Sequence, residues 1–494
     1  MYSAFAVLQK SACPFMMWVA TTTGEGASMR IKSDPQEPLD LSPSTLRVTQ
    51  AYYQKYGAID QILKQAPGIL DAFHKDIVKT GRDLLRRRRS QFTSVQLLRA
   101  ILVMVIEQLS FRAAVVRIDD SVFLRRFIGV PFGPVMDFTT LSKAYKAIRP
   151  ATWKRINELL SRYAVDQKQI RGEALRVDTT AYETNIHYPT DSSLLWDGYR
   201  VLGRLLGRIR DYAPELVGER RLQVRKVKRL TQLIARRAQH KAQRREKLRK
   251  PYKALLASVS GILEWSEEVH RTCHEAMGGG RYDLDTVRVL ESLLDDLGHY
   301  TGLTARVMDQ ARRRVLLGED VPSDEKVLSI FEPHTEILVR GKAGKAVEFG
   351  HMVLLHQVEN KFISDYEVFK KRPSDESLVD AILARHEKQF GSLPEAFTAD
   401  KGFYENMQKI GELEQKITHV SIAKKGSRTA AEIDREHDPV FRSWQRFRAG
   451  IEGTISYLKR CLKLGRCLYR SFKTYCSSVG CHIFVHNLLV LARL

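Results

Sequence analysis

Three acidic residues of this sequence stand where carboxylates could do metal-dependent chemistry. Asp178 and Asp400 each end a short predicted strand, and Glu452 lies on a predicted helix. Three carboxylates brought together repel one another strongly unless a cation lies between them. Hard oxygen ligands with open positions suit Mg²⁺ or Mn²⁺. Two such ions about 4 Å apart can activate an attacking oxygen and stabilise the leaving oxygen of a phosphoryl transfer.

Other acidic residues near these strands have structural explanations. Asp365 lies in the middle of a predicted strand, Asp197 is predicted to open a helix, and Asp375 is predicted to cap one. A single Asp after a strand is itself weak evidence, because many strands end on Asp in a loop. We therefore predict that only Asp178, Asp400 and Glu452 are the catalytic residues and the metal ligands.

The elements that must position these acids alternate between β and α. Short apolar runs with β-rich composition predict strands, and helical periodicity predicts the helices between them. The element order is strand, strand, strand, helix, strand, helix, strand, helix, which is that of an RNase H-like domain with a mixed five-stranded sheet. In that topology Asp178 and Asp400 lie on neighbouring strands, and a later helix crosses the sheet with Glu452. The predicted strands cover 175–178, 347–358, 362–369, 395–400 and 417–423.

Two helical regions surround this predicted α/β fold. Residues 46–165 are predicted to be an all-α N-terminal DNA-binding domain, in which a helix begins at Asp137 with Asp or Thr as its cap. Basic clusters such as Arg86–Arg89 suit a helix-turn-helix, although a plain helical bundle with solvated charges is equally open. The predicted domains are a disordered leader (1–45), this helical domain, a catalytic domain (170–192 and 326–475), a helical insertion (193–325) and a C-terminal helix (476–494).

The insertion after the first strand is strongly basic. Between Arg200 and Lys250 there are 13 Arg and 5 Lys but only four acidic residues. Solvated helix faces normally mix both signs of charge, so we expect a long helical hairpin whose basic side contacts DNA phosphates. The predicted DNA-binding residues of this stretch are Arg225, Arg229, Arg236 and Arg237.

The whole chain is also basic, with 80 Lys and Arg against 57 Asp and Glu in 494 residues, a net charge of +23. Nucleic acid is the most common polyanionic partner of such a protein. We predict binding to double-stranded DNA and a homodimer or higher oligomer on that DNA. The sequence lacks an apolar run of the length that a membrane span needs, so we expect a cytoplasmic, nucleoid-associated protein.

Four of the six cysteines lie close together near the end of the chain, at 461, 467, 476 and 481. Their spacing contains no CxxC pair and matches no usual zinc finger or ribbon. The apolar residues around Cys481 favour small core thiols over a zinc site. A short apolar stretch near the start precedes Met29, which is an alternative first residue.

The residues around the three acids resemble those of the DDE transposases of bacterial insertion sequences, most closely the ISNCY-type group. The resembling segments are Asp178–Ser192, Ala399–Tyr404 and Arg448–Gly453. A signature of Arg, three residues, Glu, six residues and Lys is intact as Arg448, Glu452 and Lys459, although Gln445 stands where a tyrosine is frequent. The resemblance extends over most of the chain from about residue 80.

This resemblance implies cleavage at the ends of a mobile element, followed by attack of the freed 3'-OH on target DNA. Arg448 and Lys459 would hold the phosphates beside the scissile bond. Trp196 could stack on an unpaired base, although a role as a core anchor of the insertion is the stronger interpretation. The alternatives are an RNase H-fold nuclease without strand transfer and a domesticated DNA-binding protein without catalysis.

Overall fold

The computed structural model describes residues 46–84, 92–239, 244–279, 282–342 and 345–494. The predicted leader, Cys13, Met29 and the run Arg86–Arg89 lie outside the described residues. Within them the protein is a mixed α/β structure, mostly helical, that is built on one seven-stranded sheet.

The N-terminal region is all helical. Its third helix begins with a capping box, in which Thr93 accepts the N–H of Gln96 and the Gln96 side chain accepts the N–H of Thr93. The sixth begins after Asp137, whose carboxylate accepts the N–H of Thr139 at 2.8 Å, as the sequence predicts. The helices are α1 (Arg47–Gln65), α2 (Pro67–Leu84), α3 (Ser94–Ile106), α4 (Phe111–Asp120), α5 (Val122–Ile128), α6 (Phe138–Ala147) and α7 (Pro150–Asp166).

The sheet joins distant parts of the chain. Its strands are β1 (Ala174–Thr184), β2 (Glu336–Lys342), β3 (Lys345–Gln357), β4 (Ile363–Val368), β5 (Ala396–Ala399), β6 (His419–Ile422) and β7 (Arg466–Cys467). β3 pairs antiparallel with β1, while β5 runs parallel to β1 and β6 parallel to β5. β4 and β2 both pair with β3, and the short β7 pairs with β1.

The predicted count of five strands is wrong, because β2 and β7 add to it. β3 is 13 residues long, and β4 covers only its second half, from Val353 to Gln357. Its first half pairs with β2 instead, over Lys345–Gly350. That pairing satisfies backbone groups that a strand edge would otherwise leave open.

Five further helices pack around the sheet. These are α13 (Val379–Phe390), α14 (Met407–Glu414), α15 (Ala430–His437), α16 (Pro439–Cys461) and α17 (Phe472–Leu491). α13 ends at Gly391, which takes the left-handed conformation (φ 83°) that favours glycine.

α17 connects the N-terminal helices to the sheet in one continuous apolar core. The Trp153 ring of α7 lies 5.9 Å from that of Phe484, measured between centroids. A Cβ at Gly480 would lie 2.4 Å from the Tyr366 hydroxyl and 2.6 Å from the Trp153 Cβ. Glycine is therefore needed at 480 for this close approach.

α17 is also long and apolar enough to cross a membrane, so the prediction that no such segment exists is wrong by length and composition. However, 89% of its most apolar stretch is buried in the protein, which is typical of the core helix of a soluble protein. Cys467 and Cys481 are buried, as predicted for core thiols, whereas Cys461 is exposed at the end of α16.

The insertion forms a second apolar core of its own. It contains five helices in place of the predicted hairpin: α8 (Asp191–Tyr212), α9 (Pro214–Val217), α10 (Val224–Ala238), α11 (Arg244–Gly278) and α12 (Leu284–Ala311), followed by a π-helical turn. Thr190 caps α8, so Asp197 lies inside this helix and does not open it.

Hydrogen bonds join the two ends of the insertion. Buried Asp191, the first residue of α8, accepts hydrogen bonds from Gln310 at 2.8 Å and from Arg314 at 2.9 and 3.0 Å. The insertion therefore leaves and re-enters the sheet region at one place.

Candidate functional site

Asp178 and Asp400 lie on two neighbouring strands, but the prediction that each ends its strand holds only for Asp400, which directly follows β5, because β1 continues to Thr184 through its pairing with β3. Arg176 of β1 is in register with Thr398 of β5, and each acid stands two residues further along its own strand direction. Because side chains alternate between the two faces of a strand, both acids are expected on the face that carries Arg176. The adjacency of the two strands predicted from the sequence is confirmed.

Each of these carboxylates is held by a nearby backbone amide. Asp178 Oδ1 accepts the N–H of Thr179 at 2.7 Å, and Asp400 Oδ1 accepts the N–H of Gly402 at 2.9 Å. Both acids are only partly buried. Each carboxylate therefore has one oxygen whose position is fixed by the local backbone.

α16 is fixed across this face by a buried arginine. Arg176 donates to the Phe447 carbonyl oxygen at 2.6 Å and to Gln357 Oε1 at 2.7 Å, and its guanidinium lies 4.5 Å from the centre of the Phe447 ring. Gln357 in turn donates to the Thr454 hydroxyl at 2.7 Å. Burial lowers the pKa of Arg176 to about 10. A Cβ at Gly450 would lie 2.4 Å from Arg176 Nη1, so the helix approaches the strand closely there.

Glu452 lies two residues beyond this contact and faces solvent. Its side chain is 65% exposed, and its Oε1 accepts hydrogen bonds from the Arg448 guanidinium at 3.1 and 3.3 Å. In the part of the chain that the structure describes, no group of three or more His, Cys, Asp or Glu side chains is arranged to hold a metal ion. The structure thus brings together the strands of the two Asp residues, but not the full set of three acids.

A fourth acid, Asp375, lies beside Asp400, although the sequence analysis assigned it only to a helix cap. A Cβ at Gly402 would be 2.9 Å from Asp375 Oδ2 and 3.1 Å from Asp400 Oδ1, so both carboxylates converge on this glycine. Burial raises the pKa of Asp375, and the charge of Asp400 adds to the rise, against the lowering effect of Arg372. The predicted helix cap is wrong, since the Asp375 side chain makes no capping hydrogen bond. The glycine directly after the Asp400 turn was the only sequence signal of this approach.

The other two acids considered from the sequence have basic partners. Asp365 of β4 is bonded to Lys154 and paired with Arg385. Asp197 is bonded to His187 at 2.8 Å and to Arg200 at 3.0 Å. Asp365 lies in a strand as predicted, whereas Asp197 lies inside α8 and has a structural role in these contacts and not as a helix start.

The predicted DNA-binding residues lie in two different settings. Arg448 is only 16% exposed and is bonded to Glu452, and Lys459 on the same helix is half-buried. The four arginines of α10 are exposed, and none of them forms an ion pair with an acidic side chain in the described ranges. These are Arg225, Arg229, Arg236 and Arg237.

Trp196 is half-buried against the core of the insertion, and the neighbouring Leu194 and Leu195 are buried in that core. The packing agrees with a core anchor. Base stacking by this ring stays a prediction.

Comparison with known proteins concerns the N-terminal helices. Residues 54–147, from α1 to the end of α6, match a family described as a transposase domain (DUF772). The match supports a transposase family and indicates a role in transposition, with DNA as the expected substrate. No curated protein and no solved structure matches the chain.

Proposed function

We propose that this protein is a DDE transposase of the ISNCY-type group, which cuts DNA at the ends of an insertion sequence and joins the freed 3'-OH to target DNA. The observation that carries the proposal is the parallel register of β1 and β5, which aligns Asp178 with Asp400. The transposase match of residues 54–147 supports it independently.

The strand arrangement supports an RNase H-like catalytic domain. Along the path β4–β3–β1–β5–β6, β3 is antiparallel to β1, while β5 and β6 are parallel to it, and the strands of Asp178 and Asp400 are the neighbours that the sequence predicts for that fold. β2, β7 and the helical insertion are additions to it.

Asp178 and Asp400 have the donor chemistry for Mg²⁺ or Mn²⁺, because both offer carboxylate oxygens on one face of adjacent strands. Asp375 supplies a third carboxylate beside Asp400, and its pKa is raised by burial and further by the charge of Asp400. Glu452 would complete the set by exchanging its bond to Arg448 for the metal ion. A bound divalent ion would polarise the scissile phosphate and activate the attacking oxygen.

The remaining residues would bind and position the DNA. Arg448, once released from Glu452, offers a planar guanidinium that suits a phosphate, and Lys459 would bind a further phosphate as a point charge. Arg176 would act as a positioning residue, because it holds α16 against β1 and β3. The exposed arginines of α10 would contact the flanking duplex, on which the protein works as a homodimer or higher oligomer.

Cleavage of DNA that carries the element ends tests this proposal. We expect cleavage and joined products with Mg²⁺ or Mn²⁺, none with a chelator, and little with Ca²⁺, whose coordination is larger and looser. Asp178→Asn, Asp400→Asn and Glu452→Gln should each lower cleavage at least about 1,000-fold with folding and DNA affinity kept. Asp380→Asn is the matched control, since Asp380 is exposed and paired with Lys409 outside the site.

The products separate the proposal from its alternatives. Cut DNA without joined products would identify a nuclease that lacks strand transfer. Tight binding without any cutting would identify a DNA-binding protein that has lost catalysis. Full cleavage in a chelator would refute the metal mechanism.

A further inference from the structure

A cleft of about 250 Å³ opens in the insertion, apart from the proposed active site. It lies between α8, the segment that leads into α10, and the middle of α11. The side chains that form it combine cations, polar groups and an apolar wall. They include Tyr199, Arg221, Gln223, Lys226, Gly261 and Trp265.

The positive charge of the cleft is not neutralised locally. Among its three cations, Arg220 is paired with Glu268 at 2.7 Å. Arg221 and Lys226 are exposed and form no ion pair with any acidic side chain in the described residues, and Lys226 donates only to Gln223 Oε1, at 3.0 Å. Two cations at the mouth of a concave site favour an anionic ligand.

The start of α10 provides an independent signal for an anion. The helix has 15 residues, its N-cap Gln223 makes no side-chain capping bond, and its first turn contains no acid. The N–H of Gln223 is already satisfied by the Tyr199 hydroxyl at 2.8 Å, but the first helical amides have no side-chain cap. Free amides and the helix dipole attract phosphate groups at such a terminus.

Part of the cleft lining is apolar. It is formed by Leu222 and by the edges of Ile262 and Trp265, which are otherwise buried, and the Trp265 indole donates a hydrogen bond to the Val217 carbonyl oxygen at 3.0 Å. Gly261 adds open space, because a Cβ there would meet nothing within 4 Å. An inorganic anion would gain nothing from this apolar surface, whereas the flat face of a base can pack against it.

We propose that this cleft binds one nucleotide unit of a DNA strand. Arg221, Lys226 and the first amides of α10 hold its phosphate, and its base lies against Leu222, Ile262 and Trp265. The proposal rests on the proposed function only for the source of the ligand, since a free nucleotide has the same phosphate and base chemistry.

The test measures the affinity of the full chain for a 5'-phosphorylated dT tetranucleotide by fluorescence anisotropy. Gly261→Leu fills the cleft and should weaken binding about tenfold or more, which corresponds to about 1.4 kcal/mol. The matched control is Gly302→Leu on α12, another exposed helical glycine whose Cβ would meet nothing within 4 Å. That control should change affinity less than about twofold.

A second pair of variants removes equal charge inside and outside the cleft. Arg221→Gln with Lys226→Gln should weaken tetranucleotide binding at least about tenfold, whereas Arg225→Gln with Arg229→Gln should have a smaller effect that salt screens. This pair keeps the test valid if Gly261→Leu fails to fold.

Equal losses in the two charge pairs would overturn the proposal, because only diffuse attraction would remain. Binding of dTMP or inorganic phosphate as tight as that of the tetranucleotide would also overturn it, in favour of a free ligand. The assay measures binding and not cleavage, so a failure of the cleavage proposal would leave this result intact.

Discussion

The sheet and the insertion present opposite charges by different structural means. The sheet region places Asp178 inside β1, Asp400 directly after β5, and Asp375 beside Asp400, where strand register and the close approach at Gly402 fix their positions. The insertion presents its cations on exposed helical faces such as that of α10, without ion pairs among the described side chains. Each region has an apolar core of its own.

This difference indicates how each region tolerates change. Chemistry at a phosphate requires a few groups held within about 0.5 Å, so single substitutions in the sheet should be decisive. Phosphate contacts along a helix face add up, so binding by the insertion should depend on how many cations are lost.

Acid should destabilise the two regions unequally, and this is the largest effect that we expect. The sheet core buries His351, His356, His386, His482 and His486, and burial lowers their pKa values to about 4, 3, 4, 4 and 4. Since these values lie below that of an unfolded histidine, about 6.5, the unfolded state binds more protons. Stability is therefore full above about pH 6.5 and falls toward pH 4, by up to about 1.4 kcal/mol per pH unit for each histidine.

Hydrogen exchange at pH 7 and pH 5 measures this difference. Amides of β3 and α17 should lose far more protection than those of α11, where His270 is the comparable case with a lowered pKa and only partial burial. Equal losses in both regions would mean that they unfold as one unit and that the two-core description fails.

Removing charge from α10 should alter binding but not chemistry. Arg225→Gln, Arg229→Gln, Arg236→Gln and Arg237→Gln together should flatten the slope of log affinity against log salt by about 2 to 4 units. Glutamine keeps the helix propensity, so folding should be unaffected. Preference for element ends over random DNA should change little, because base contacts specify and phosphate contacts position. An unchanged slope would show that this face is only solvated.

Asp375→Asn should alter the chemistry but not the binding of DNA. If Asp375 supports metal binding beside Asp400, the substitution should lower cleavage about 10- to 100-fold and raise the metal concentration needed. The salt slope should stay the same, since no phosphate contact is lost. Asp365→Asn on the same sheet is unsuitable as a control because it would break the ion pairs with Lys154 and Arg385, so Asp380→Asn serves again. Unchanged metal dependence would remove Asp375 from the site.

Replacing a glycine by alanine should change the free energy of unfolding in opposite directions in the two regions. Gly450→Ala brings a Cβ to 2.4 Å from the Arg176 guanidinium and should destabilise the protein by about 1 to 3 kcal/mol. Gly302→Ala meets nothing within 4 Å in α12 and should stabilise by up to about 1 kcal/mol through helix propensity. Urea unfolding measures both. A harmless Gly450→Ala would show that α16 can move relative to β1.

The strands that carry Asp178 and Asp400 could be predicted because their apolar runs and turns are local signals. The helix start at Asp137 followed from capping chemistry in the same way. β2 was missed, because its residues form a strand only through pairing with the first half of β3. Local sequence does not contain that partner.

The site was harder to predict from the sequence than the strands were. Asp375 approaches Asp400 only through the tertiary fold, and its place before a helix suggested a cap instead. The position of Glu452 on α16 was predicted. Its hydrogen bond to Arg448 was not, because the sequence does not show whether Glu452 binds Arg448 or a metal ion. The number of helices in the insertion was missed because one continuous basic and apolar pattern covers several of them.

The bonds from Gln310 and Arg314 to Asp191 have a consequence for the folding rate. β1 and β3 must pair across the whole insertion, and closing so long a flexible loop is slow, because entropy is lost before contacts form. An insertion that collapses first around its own core brings its two ends together. β3 then meets β1 as if the connection were short, and the nucleation of the sheet depends on the prior folding of the insertion. Weakening the Asp191 contacts should therefore slow refolding more than it speeds unfolding.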